Sequence, residues 1–246
     1  MSALLQTRGL TLAFGGLVVA NGIDFSLEEG ERLAVIGQNG AGKTTFINIC
    51  TGLIRPTAGN VSFAGNDITG QSPRRIVRQG MARSFQLPQL FLEHNVRQCL
   101  ELAGMARQPR LPFWRPLERS ADAVAVDRVL ELVSLREREH EPVSNLPEGQ
   151  RKLLDVAMSL MLQPRLLIMD EPTSGVSSEE KHGIMEILMR ALDEQRVTAI
   201  FVEHDVDIVR RYATRVAAWI SGGIAADGTP DVVLADPTVQ RQVLGI

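Results

Sequence analysis

Gly37-Gln38-Asn39-Gly40-Ala41-Gly42-Lys43-Thr44 is the stretch on which the reading of this chain turns. It matches the pattern G-x-x-x-x-G-K-[ST]. Before it, Arg32 to Ile36 is a short apolar run of the kind a buried parallel strand leaves. After it, residues 43 to 51 read as a helix closed by Gly52. A strand, a glycine-rich loop and a helix, in that order, are the context in which the pattern holds phosphate. Glycines let the backbone wrap an anion with its N–H groups, and the helix N-terminus adds positive potential. Lys43 would reach the β- and γ-phosphates, and the Thr44 hydroxyl would bind Mg2+.

A second acidic site follows much later. Leu166-Leu167-Ile168-Met169 is an apolar strand that ends in Asp170-Glu171. Two acids at a strand end are by themselves also what a solvated corner looks like; the phosphate loop gives them a use. Asp170 would hold the shell of the metal, and Glu171 would polarise or orient the attacking water. Together the two sites describe a nucleoside triphosphatase.

Working outward, Leu10, Leu12 and Phe14 alternate with Thr11 and Ala13, and Ile23, Phe25 and Leu27 alternate with Asp24 and Ser26, which predicts strands. Val61 to Ala64 predicts another. Ser72-Pro73 predicts a short helix capped by serine and ended by Gly80. Residues 92 to 163 are helical in pattern, interrupted by Pro109, Pro112 and Pro116, with a helix expected over residues 151 to 163. Strand and helix then alternate: Leu166–Met169, a helix carrying Ile184, Ile187, Leu188 and Ala191, Ala199–Val202, and a helix carrying Val206, Val209 and Ala213. A hairpin across Gly222-Gly223 and a short helical tail complete the chain. The expected class is α/β: a parallel-sheet P-loop core with an antiparallel β subdomain and a helical insert. One domain over residues 1–246 is expected, with the β subdomain and core at about 1–86 and 164–246 and the helical subdomain at about 87–163.

Composition narrows the classes. The chain has 246 residues, 44% hydrophobic and 22% charged, which is ordinary for a globular protein able to bury its own core. A net charge of −3 gives no basic footprint for nucleic acid. Cys50 and Cys99 lack a C-x-x-C partner, so a disulfide framework is not expected and a reducing compartment is. No run of about 18 apolar residues is present, and Met1 to Gln6 does not read as a secretory signal. Work at a membrane would need a partner that spans it.

Further motifs narrow the triphosphatase. Phe14 precedes Gly15; Gln86 follows Ser84-Phe85; His204 follows the strand ending at Val202; Asn145-Leu146-Pro147-Glu148-Gly149-Gln150 precedes the expected helix. On these, over essentially its full length, the chain resembles the ABC ATPases. The resemblance implies that Phe14 stacks on adenine, that Asn39, Gly40, Ala41, Gly42, Lys43, Thr44 and Thr45 hold the phosphates, and that Gln86 and His204 contact the γ-phosphate end. It further implies catalytic roles for Glu171, His204, Gln86 and Lys43, and metal roles for Thr44, Gln86 and Asp170. Leu146, Glu148, Gly149 and Gln150 would bind the ATP held by a second subunit. The family's usual Leu-Ser-Gly-Gly-Gln here has Pro147 for serine and Glu148 for the first glycine, which adds a negative charge near a triphosphate. Ser174-Gly175-Val176-Ser177 stands where the family usually reads Ser-Ala-Leu-Asp.

Phe14 to Ala20, Arg83 to Gln86, Glu203-His204-Asp205 and the ending Val243-Leu244-Gly245 look like the ATPases of bacterial branched-chain amino acid importers. That branch implies ATP and Mg2+ as cofactors and transmembrane permease subunits, a second identical or homologous ATPase and a solute-binding protein as partners. It implies a peripheral place on the cytoplasmic face of the inner membrane. The segment from Gln86 to Val96, with Leu87, Leu90, Phe91 and Leu92, is the expected grip on a permease, or equally plain packing of the insert. An exporter ATPase, such as one for lipids, and a low-turnover nucleotide-binding scaffold stay open as alternatives.

Overall fold

The structure, a computed structural model, describes residues 3–14, 17–85, 90–106 and 122–245. The side chains of Phe14 and Leu17 are also outside the described set, as are Gln86 and Leu87 entirely. Two sheets form the frame. In the first, β1 (Leu5–Phe14), β2 (Leu17–Leu27), β4 (Ala58–Phe63) and β5 (Asn66–Asp67) pair antiparallel in the order β2-β1-β4-β5. In the second, β3 (Arg32–Gly37), β6 (Met81–Ser84), β7 (Leu166–Asp170), β8 (Thr198–Val202), β9 (Arg215–Ile220) and β10 (Gly223–Gly228) take the order β10-β9-β3-β8-β7-β6. All neighbours in it are parallel except the β9–β10 hairpin.

The central parallel strands bury both faces, which is why they read as unbroken apolar runs rather than alternating ones. On β3, Leu33 and Val35 join one apolar layer while Ala34 and Ile36 join the other. The first layer lies with the antiparallel sheet and α1 (Lys43–Cys50). There the Phe46 ring sits 5.3 Å from Phe25 and 5.0 Å from Trp219, so α1 and the loop before it are anchored from two sides. Truncating such a ring to alanine costs about 3–5 kcal/mol.

The second layer is built by helices α3 (Val96–Met105), α4 (Ala123–Leu132), α5 (Glu148–Met161), α6 (Ser178–Gln195) and α7 (Val206–Tyr212). Asn95 caps α3 with a reciprocal bond to Gln98, and Asp122 caps α4 at the amide of Ala125. Short helices at Pro230–Leu234 and Pro237–Val239 and a π turn at Gln240–Leu244 form the tail.

Two expectations change. The helix α2 (Pro73–Arg78) forms where expected, but Ser72 makes no side-chain cap bond; its carbonyl accepts from Arg75 and Ile76 instead. The proline at the first turn starts the helix through its fixed φ. Strands β1 and β2 extend well beyond the alternating residues, because register shifts break the alternation without breaking the pairing.

Candidate active site

The loop after β3, the acids after β7 and the histidine after β8 all leave the carboxyl ends of adjacent parallel strands. Ligands bind there in open α/β sheets, because several loops converge on one crevice. The phosphate loop needs its glycines: Gly40 and Gly42 adopt φ +81° and +102°. A Cβ on Gly42 would stand 2.7 Å from the Val19 carbonyl oxygen. The loop thus presses against β2, and Gly42 is the N-cap of α1 without a side-chain cap bond. Amides at that helix end keep an anion-facing direction.

Lys43 is buried, and its Nζ donates to the carbonyls of Gly37 at 2.6 Å and Gln38 at 3.0 Å. Burial pulls its amine below the ordinary lysine range, while the Glu171 and Asp170 carboxylates oppose that pull. The lysine, the loop and both acids therefore share one electrostatic site. Thr44 is exposed at the mouth of the loop and Thr45 half-buried behind it.

Asp170 is held rather than free. Arg83, from β6, donates through Nη2 to Asp170 Oδ2 at 2.9 Å and through Nη1 to Asn48 Oδ1 at 2.6 Å. Glu171 follows at φ +50°, a region that costs a non-glycine residue about 1–2 kcal/mol. Its amide donates to the Val202 carbonyl at 3.1 Å, and its carbonyl accepts from Ser174 N at 3.1 Å and Lys152 Nζ at 3.0 Å. That backbone aims the carboxylate at the next strand, where Glu171 Oε1 meets His204 Nε2 at 3.2 Å.

Behind His204, the buried Glu203 carboxylate accepts from Thr173 Oγ1 at 2.7 Å, Thr173 N at 3.2 Å and His204 N at 3.2 Å. Burial raises its pKa, and these donors oppose the rise. Glu203 so ties the segment after Glu171 to the segment carrying His204.

The profile of the family described as "ABC transporter" matches residues 20–174. The chain belongs to the ABC transporter family. This ABC ATPase is 34% identical over 250 residues to the high-affinity branched-chain amino acid transport ATP-binding protein BraF of Pseudomonas aeruginosa, covering 98% of each chain. It is 36% identical over 246 residues to the probable branched-chain amino acid transport ATP-binding protein LivG of Archaeoglobus fulgidus, covering 98% of this chain and 95% of that one. Among solved structures, the ADP conformation of MJ1267, an ATP-binding cassette of an ABC transporter, aligns over 100% of both chains at 29% identity and TM-score 0.85. The α/β architecture expected from the sequence is thereby the ABC ATPase fold, and ATP is the nucleotide of the family.

Within this ABC ATPase, the structure gathers residues 37–44, Asp170, Glu171 and His204 at the carboxyl end of the parallel sheet. The Gln86 expectation and the adenine-stacking expectation for the Phe14 side chain lie outside the described residues. The segment Leu146–Gln150 differs from expectation. Its helix begins at Glu148, three residues early, with Pro147 at the N-cap making no side-chain cap bond. Leu146 is buried, and Gly149 lies so close to α6 that a Cβ would come within 2.7 Å of Ile184 Cδ1. The Glu148 carboxylate lies over Gly175: a Cβ built there would meet Glu148 Oε1 at 2.3 Å. Ser177 caps α6, accepting from Glu180 N at 3.4 Å and donating to Glu180 Oε2 at 2.8 Å.

Arg83, Lys152, Thr173 and Glu203 complete the site without having been assigned roles from sequence. Sequence shows only that Arg83, Lys152 and Glu203 are charged residues within or beside apolar runs; their partners lie far along the chain.

Proposed function

We propose that this ABC ATPase hydrolyses MgATP through Glu171 and His204 to drive import of branched-chain amino acids or a related small solute. The observation that carries the reading is the 3.2 Å contact between Glu171 and His204 beside the phosphate loop. A carboxylate and an imidazole in that relation can share one water: Glu171 would accept its proton as its oxygen attacks the γ-phosphorus, and His204 would orient the γ-phosphate end. Lys43 leaves the Gly37 and Gln38 carbonyls for the phosphates when nucleotide enters. The donor set at Thr44 and Asp170 is hard oxygen only, which fits magnesium completed by phosphate oxygens. Bound there, the ion would neutralise phosphate charge; Thr44 and Asp170 would hold it, joined by Gln86. Phe14 remains the proposed adenine platform.

The partners follow from the same reading. Pro147 offers no side-chain cap to α5, so its first amides stay open to an anion from a second ATPase subunit. The first-turn amides of Glu148, Gly149 and Gln150 would form that contact across a nucleotide sandwich, with buried Leu146 anchoring the turn beneath them. Among the described residues no helix is long and apolar enough to cross a membrane, and Phe91 and Leu92 are about half exposed next to α3. These two side chains suit a permease's cytoplasmic helix, which would hold the ATPase at the cytoplasmic face of the membrane. The helical part at about 87–163 would then carry the permease contact, while the rest of the single domain, 1–246, carries nucleotide. The relatives' names carry the choice of solute, and a solute-binding protein would deliver it.

Replacing Glu171 with glutamine tests the chemistry. Phosphate release should fall by about 10²–10⁴-fold while ATP still binds. Turnover that survives the change would remove Glu171 from the role. Reconstitution with the permeases and ATP-dependent leucine uptake tests the solute.

A further inference from the structure

We infer that Lys152 and Glu148, on the first turns of α5, form a positioning couple that fixes the backbone of Glu171 and so links the inter-subunit segment to hydrolysis in the same subunit. The inference rests on the reading of Glu171 as the residue that activates water.

Glu171 is a residue in a strained conformation, and such conformations persist only where surrounding contacts over-determine them. Among the described residues, three backbone-directed contacts do so here. The amide is tied to Val202 on β8, and the carbonyl accepts from Ser174 and from Lys152 Nζ. Two of those donors and acceptors are backbone of neighbouring segments. The third is a side chain from α5, 19 residues away in sequence. Lys152 is 6% exposed, so its amine is not a solvated surface charge that touches the carbonyl by chance.

The amine is compensated locally. Glu148, one helical turn before Lys152, contributes the largest favourable charge, ahead of Glu203, Glu171 and Asp155; burial alone pulls the lysine below its ordinary range. Glu148 in turn lies over Gly175, whose φ of +75° and missing side chain leave the room the carboxylate fills. Glu148, Lys152, Glu171 and Gly175 thus make one interlock. Its members belong to the helix that opens at Leu146–Gln150 and to the loop that follows the hydrolytic acid. A shift of α5 on its own axis must move the Lys152 amine and release the Glu171 carbonyl. The Glu148 carboxylate, one turn before Lys152 on α5 and packed over Gly175, is thereby turned to the loop after Glu171 and favours the charged amine.

The full-length protein tests this with steady-state ATPase kinetics and nucleotide titration. Lys152→Met should lower kcat about tenfold, within the range over which coupled residues act. KM and ATP affinity should stay within about twofold, since the phosphate loop is untouched, and Lys152→Arg should restore part of kcat. In a Glu171→Gln background, Lys152→Met should change nothing further. Glu148→Gln, at an exposed position that leaves the fold intact, should lower kcat about threefold. An unchanged kcat in Lys152→Met, or equal losses of kcat and ATP affinity, would overturn the inference. So would a rise in turnover for Glu148→Gln, which is what a carboxylate repelling the triphosphate gives. If Glu171→Gln itself keeps turnover, the reading of Glu171 falls first; if only the Lys152 and Glu148 variants are silent, that reading stands and the couple alone is wrong.

Discussion

Arg83 Nη2 donates to Asp170 Oδ2 at 2.9 Å, with both side chains less than a tenth exposed. The pair joins the ends of β6 and β7, and the second Nη atom of the same guanidinium reaches Asn48 on α1. One side chain therefore sets the distance between the helix after the phosphate loop and the proposed metal-binding acid.

Breaking that pair from one side leaves a buried carboxylate without its counter-charge. Arg83→Leu should lower unfolding stability by about 3 kcal/mol, read by urea denaturation. The double variant Arg83→Leu with Asp170→Asn should recover part of the loss, because no charge is then stranded. A single variant as stable as the parent would mean that Asp170 is hydrated in the folded state.

Gly42 sits at φ +102°, against the Val19 carbonyl. Gly42→Ala should shift the loop away from β2 and weaken binding of a fluorescent ATP analogue at least about tenfold, the equivalent of one strained residue. Thermal stability should fall as well, by an amount that a single loop strain explains. Wild-type affinity would show that the loop can give way at Val19 without disturbing the phosphate cradle.

The site was legible from sequence where a local pattern and its setting coincide. Gly37 to Thr44, Asp170, Glu171 and His204 each follow an apolar strand, and strand ends are easy to find when both faces are buried. What stayed hidden depends on long-range partners. Arg83 meets an acid 87 residues later, and Lys152 meets a backbone carbonyl, which no side-chain pattern announces. α5 starts three residues before the expected 151, because proline at the cap position fixes where the helix begins. β1 and β2 were read short because three register shifts interrupt their alternation.

Cys50 and Cys99 are both fully buried and unpaired. Burial pushes both thiols up, that of Cys99 to about 11. A thiol must ionise to attack, so neither should react with a disulfide reagent in the folded protein at neutral pH. Both should react fully in denaturant, and the difference can be followed by absorbance. Fast native reaction of either would show local opening of α1 or α3.

Asp155 gives the protein a pH dependence with a definite sign. It lies on α5, buried, and its Oδ2 accepts from the Phe85 amide at 3.1 Å. Burial pushes its carboxyl from an ordinary 3.8 up to about 6, opposed by the Phe85 bond and by Lys152. Between those two values the folded chain holds a proton that the unfolded chain has released. Stability from this group therefore falls as pH rises through the window and is level above it. The ionised carboxylate costs on the order of 2–3 kcal/mol at neutral pH. Asp155→Asn keeps an acceptor for the Phe85 amide and removes the charge. It should stabilise the protein by about 2 kcal/mol at pH 7.5, with the gain shrinking toward zero near pH 4, where the wild-type carboxyl is neutral in the fold. Urea unfolding at both pH values reads the difference. An equal gain at both would trace the effect to side-chain packing, and a loss at pH 7.5 would mean that Lys152 needs the Asp155 charge more than burial opposes it.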